Sequence, residues 1–179
     1  MTTTKDAVAA IVRRIGFDPG RASAVARSLT DSGHLPSGAP GKSPELTPQH
    51  VATLMLGVAL DTPLRAVATT VCEYRALRRE GVPDGAPERI SATAGDELDI
   101  LAEIAATGSP EAKALVAKTI ITVVSTRPEI VLADTVDARR FHAGMPGHWQ
   151  AYGHRSAVEI NGGAFADAIR DLFGDENAH

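Results

Sequence analysis

Asp18-Pro19, Thr47-Pro48 and Ser109-Pro110 each set a helix-capping side chain directly before a proline, and Asp61-Thr62-Pro63 repeats the signal. Proline fits the first turn of a helix, where its missing N–H has no partner to lose, and it breaks a helix anywhere further in. The pattern therefore cuts the chain into short helices with fixed starting points. Alanine supplies much of the 44% apolar content and aromatics only 4%, which favours closely packed helices over a sandwich or barrel. With 179 residues the chain is long enough to bury a core as one domain or two small ones.

Residues 11–36, IVRRIGFDPGRASAVARSLTDSGHLP, are the most informative stretch. A first helix over about residues 5–15, capped by Thr3 or Thr4, buries Val8, Ile11, Val12 and Ile15 and ends at Gly16. Asp18 then caps a second helix in which Ala22, Val25, Ala26 and Leu29 fall at i, i+3, i+4 and i+7, one stripe facing a core. Its opposite face carries Arg21, Ser23, Ala24, Arg27 and Ser28. Short and cationic side chains of this kind suit a helix lying in a major groove, touching phosphates and base edges together. Arg13 and Arg14 project near the end of the first helix, where they suit either a phosphate contact or simply the helix macrodipole.

The order of helix, IGFDP turn, helix, then SGHLP and a Gly/Pro loop with one lysine resembles winged helix-turn-helix transcription regulators, including small ones of bacteria and phages. The resemblance covers about residues 5–48. It implies that residues 19–32 are the recognition helix and residues 37–46 the wing, with Lys42 on phosphate. Pro40 and Pro44 suit a loose arm better than a regular β-wing. The functional expectation is sequence-specific binding of double-stranded DNA as a homodimeric regulator. Arg21, Ser23 and Arg27 face the groove, Ser28 is a secondary contact, and Lys42 with Arg13 or Arg14 grips phosphate. An oligomeric assembly subunit, of the phage DNA-packaging type and with nonspecific DNA contact, is the alternative.

Charge bears on this expectation. The net charge is -4, yet residues 1–90 hold 11 Lys and Arg against 9 Asp and Glu, a balance of +2, and residues 91–179 hold 7 against 13, a balance of -6. The positive charge is expected to sit with the helix-turn-helix. No apolar stretch suits a signal peptide or approaches the ~20 residues that span a bilayer, so a cytoplasmic protein is expected. The single cysteine, Cys72, has no partner for an internal disulfide and reads as a small core residue on a helix.

Further along, a third helix from Thr47-Pro48 to about Leu60 presents Val51, Leu54, Met55 and Val58. A fourth, from Asp61-Thr62-Pro63 to about Glu80, presents Leu64, Val67, Val71 and Tyr74 and ends in Arg75, Arg78 and Arg79. Residues 81–90 read as a linker between a DNA-binding domain, 1–80, and a second domain, 91–179, for oligomerisation or partner binding. In that second part Arg89-Ile90-Ser91 is extended, and Ser91 or Thr93 caps a helix holding Leu98, Leu101 and Ile104 up to Gly108. The next helix starts at Pro110. The β-branched run at residues 120–124 suits a helix end or a strand, and the absence of a turn residue after Pro110 favours helix through about Ser125. Residues 129–133, 149–152 and 155–160 read as short strands, with Gly153-His154 as a turn, and Asn161 caps a last helix with Phe165, Ile169 and Leu172. The fold expected is mostly α, a winged-helix-like bundle followed by a smaller α+β segment with a short antiparallel sheet.

Two chemistries are set aside. Gly41-Lys42-Ser43 matches the end of a P-loop, and residues 130–134 resemble a magnesium-holding strand. The glycine required five positions before Gly41 is Pro36, however, and a helix rather than a strand precedes the loop. His142, His148 and His154 recur every six residues beside Trp149, a spacing that shares no helix or strand face. Neither an enzyme activity nor a cofactor or metal is expected.

Overall fold

A computed structural model describes residues 2–38, 44–80, 93–143 and 153–174. The first helix, α1 (Thr4–Ile15), starts from a capping box: the Asp6 N–H donates to the Thr3 hydroxyl while the Thr3 N–H donates to the Asp6 carboxylate. It stops at Gly16, whose φ of 87° is left-handed and favours a residue without Cβ. Asp18 caps α2 (Pro19–Asp31) by accepting from the Arg21 N–H at 2.7 Å, and the expected stripe Ala22, Val25, Ala26 and Leu29 is buried. Thr47 precedes α3 (Pro48–Ala59), in which every residue from Val51 to Ala59 is buried. The stripe expected there is only part of what is covered. A helix apolar all round belongs inside, and α3 is the axis of the bundle.

The fourth helix departs from expectation. A 3₁₀ turn (Leu64–Ala66) leads into α4 (Val67–Arg75), which ends five residues early. Leu77 is buried, and Arg78–Arg79 form a two-residue strand, β1. Thr93 then caps α5 (Ala94–Thr107), and Ser109 caps α6 (Pro110–Lys118). The expectation of helix through Ser125 is overturned: Thr119 turns extended (ψ 136°) and β2 (Ile120–Val124) follows. Five β-branched residues in a row lose side-chain freedom in a helix and fit a pleated sheet, and here they pair on both edges. The remaining strands are β3 (Glu129–Ala133), β4 (Ala138–His142) and β5 (Ala157–Asn161), and α7 (Gly162–Phe173) closes the described chain.

The five strands form one sheet in the order β1-β4-β3-β2-β5, every neighbouring pair antiparallel. Alternation gives it two unlike faces. Ile121, Val123, Ile130, Leu132, Phe141 and Ile160 share the core with α5 and α7. The outer face carries Thr122, Glu129, Val131, Arg140, His142 and Glu159. One apolar cluster runs from Ala7 on α1 to Ile169 on α7, so the core continues across the boundary expected at residues 81–90, which lies outside the described residues. Direct ties do the same: α1 packs on α7, and the Thr2 hydroxyl donates to the Leu172 carbonyl at 2.9 Å. No described helix is long and apolar enough to cross a membrane.

Candidate nucleic-acid interface

The face of α2 turned away from the core carries Gly20, Ser23, Ala24, Arg27 and Asp31. It lines two shallow grooves, one toward Thr4, Lys5 and Val8 of α1, the other toward Leu64, Arg65 and Ala68. Ser23 and Arg27 are exposed one turn apart. The Ser23 hydroxyl donates back to the Pro19 carbonyl at 2.8 Å, leaving its oxygen able to accept. Arg27 makes no hydrogen bond or ion pair among the described residues, and Lys5 and Arg65 flank it with none of their own.

The other arginines of the sequence reading are engaged inside the molecule. Arg21 is half-buried and donates to the carbonyls of Leu60 at 2.8 Å and Thr62 at 2.7 Å, which hold the chain where α3 ends. The Ser28 hydroxyl donates to the Leu64 carbonyl at 3.1 Å and ties α2 to the 3₁₀ turn. Arg13 and Arg14 both reach Asp171 on α7, Arg14 through two parallel bonds of 2.7 and 2.8 Å. These hydrogen bonds, Arg14 first and Arg13 after it, hold the Asp171 carboxyl down at about 2. The structure therefore brings Ser23 and Arg27 together and turns Arg21, Ser28, Arg13 and Arg14 to internal partners. Lys42 lies outside the described residues. So do residues 39–43 of the expected wing, and the flanks at 36–38 and 44–47 carry no strand.

Sequence reasoning missed two arrangements. Cys72 is exposed rather than in the core, and its Sγ lies 3.5 Å from His34 Nε2 in a cleft shared with His50, Thr53 and Arg75. Burial pushes the His50 imidazole down, and its Nδ1 accepts from the Thr47 N–H at the start of α3. The second arrangement lies on the outer face of the sheet. Arg127, Arg140 and Arg155 converge there on Glu129, although the half of the chain that supplies them is the acidic one. Arg127 stands two positions before Glu129, but Arg140 and Arg155 reach it only through the pairing of distant segments, so no local motif announces the cluster.

Compared with protein-family models, with curated proteins and with solved structures, the chain matches none.

Proposed function

We propose that the chain binds double-stranded DNA through the exposed face of α2, in the manner of a winged-helix-like transcriptional regulator acting in the cytoplasm. The observation that carries this reading is Arg27: an exposed guanidinium without an internal partner among the described residues, in the middle of a strip of small residues and flanked by Lys5 and Arg65. Small neighbours let a helix approach base edges closely, and an arginine free of internal bonds keeps all five donors for a guanine edge or a phosphate. Ser23 accepts from a base or sits against phosphate, Lys5 and Arg65 grip the backbone on either side, and Lys42 is a further phosphate contact. Arg21, Arg13, Arg14 and Ser28 belong to the scaffold that holds α2 in place. Two copies of the chain would set two such helices about 34 Å apart, one turn of DNA.

The test is a fluorescence-anisotropy titration onto labelled duplex taken from upstream of the protein's own coding region, beside random duplex of equal length, at two salt concentrations. Tighter binding to the upstream duplex, weakening with salt, is expected. Equal affinity for both, or no binding at low salt, contradicts the reading.

A further inference from the structure

Glu129 opens β3 with its side chain 1% exposed, and three arginines meet it on the outer face of the sheet. Arg127 donates to one carboxylate oxygen through Nε and Nη2, at 3.3 and 2.9 Å. Arg155 donates to the other oxygen at 3.3 Å, and Arg140 on β4 stands 3.9 Å from that same oxygen. A buried carboxylate needs one counter-charge, and Arg127, itself only 14% exposed, supplies it with two bonds. The other two guanidiniums add charge beyond neutrality, and like charges so close repel one another. No second carboxylate among the described residues pairs with any of the three.

The arrangement is also held in place. The Ser125 N–H and the Ser125 and Thr126 hydroxyls all reach the Ser156 carbonyl, and the Ser156 N–H donates to Thr126 Oγ1 at 2.6 Å. This latch fixes the turn that bears Arg127 against the segment that bears Arg155. Directly across from Glu129 in the β3–β4 register stands His142, whose two ring nitrogens have no hydrogen-bond partner among the described residues.

We propose that this face is a binding site for a phosphate group. Arg140 and Arg155, 43% and 31% exposed and each using a single nitrogen toward Glu129, keep their remaining N–H donors for tetrahedral oxygens. Glu129 and Arg127 orient them, and a bound phosphate supplies the negative charge that the cluster lacks. The phosphate comes either free, as a small phosphorylated ligand, or in a nucleic-acid backbone laid across the sheet. The site stands on residues distinct from those of α2 and does not depend on the DNA reading of that helix.

The experiment uses the full chain at low ionic strength and follows its melting temperature in sodium pyrophosphate against sodium chloride of matched ionic strength. Wild type and Arg27→Ala are expected to melt higher in pyrophosphate, while Arg140→Gln/Arg155→Gln loses that gain. Circular dichroism confirms that the double variant is folded, and Arg140→Gln alone, at the most exposed of the three positions, gives a milder version of the same loss. A random duplex separates the two sources: weaker duplex binding by the double variant assigns the phosphate to a backbone, and unchanged duplex binding assigns it to a free ligand. No gain over chloride in wild type, or a gain that survives in the double variant, overturns the proposal.

Discussion

At the scale of single residues, the same side-chain type serves unlike ends, and its partners decide which. Arg13, Arg14, Arg21 and Arg27 lie within fifteen positions of one another, yet three are tied to groups elsewhere in the chain and only Arg27 faces outward without a bond among the described residues. Helical periodicity shows which residues share a face, and it placed Ser23 and Arg27 correctly on an exposed one. It carries no information about Asp171 or the Leu60 and Thr62 carbonyls, which arrive from distant parts of the chain. The Arg13–Arg14–Asp171 cluster has a pH signature. The folded carboxyl value of about 2 lies below the ordinary 3.8, so its contribution is complete above about pH 4 and is lost as the pH falls toward 2. Asp171→Asn should lower the melting temperature by about 2–4 °C at pH 7, with the gap to wild type closing between about pH 4 and pH 2 in a series of thermal melts. A gap independent of pH would exclude charge as its origin.

Tyr74 shows the opposite shift. Burial pushes its phenol up to about 12, and its hydroxyl donates to the Val124 carbonyl at 2.6 Å, joining α4 to β2. An acid whose folded value is raised favours the fold while protonated, so this contribution holds below about pH 10 and fades as the pH rises toward 12. Tyr74→Phe should destabilise by about 1–2 kcal/mol in denaturant titration at neutral pH, because it leaves a buried carbonyl without its donor. An unchanged midpoint would mean that another group or water replaces the bond.

At the scale of elements, capping chemistry was the legible part. Asp18, Thr47, Thr93, Ser109 and Asn161 stand where the structure begins α2, α3, α5, α6 and α7, because a cap is a contact between near neighbours. The strand β3 was legible for its apolar run, whereas β1 and β4 were not. Arg78–Arg79 and Ala138–His142 have little strand character of their own: β4 pairs with β3 as a hairpin closed by residues 134–137, and β1 joins β4 from far back in the chain. The early end of α4 follows from that pairing, since the Glu80 N–H bonds the Arg140 carbonyl instead of a preceding turn. The junction of β5 with α7 gives a sharp test. A Cβ on Gly162 would lie 2.2 Å from the Val116 carbonyl oxygen and 2.3 Å from that of Thr119, both backbone at the end of α6. Gly162→Ala should therefore cost about 2–4 kcal/mol, read from the denaturant midpoint, and a cost under ~0.5 kcal/mol would show that α6 and α7 separate easily.

At the scale of the whole molecule, the sheet and the helix bundle are parts of one core, and this shapes the functional account. The buried stripe of α2 rests on α3, and α1 beside it is clamped to α7 by Asp171, so the α2 face proposed to read DNA is held from the other end of the sequence. Composition by halves was a poor guide to surface charge. The acidic half contributes the three arginines around Glu129, because the fold gathers them on one face of the sheet.

The central claim is that Arg27 reads DNA from the exposed face of α2. The measurement that tests it most directly compares wild type, Arg27→Ala and Arg21→Ala by anisotropy on the upstream duplex and on random duplex, with melting temperatures recorded beside. Arg27→Ala is predicted to keep its melting temperature while losing about 1–3 kcal/mol of binding to the upstream duplex, and with it most of the preference over random sequence. Arg21→Ala is predicted to lower the melting temperature instead. An Arg27→Ala protein that binds both duplexes as wild type does would contradict the account.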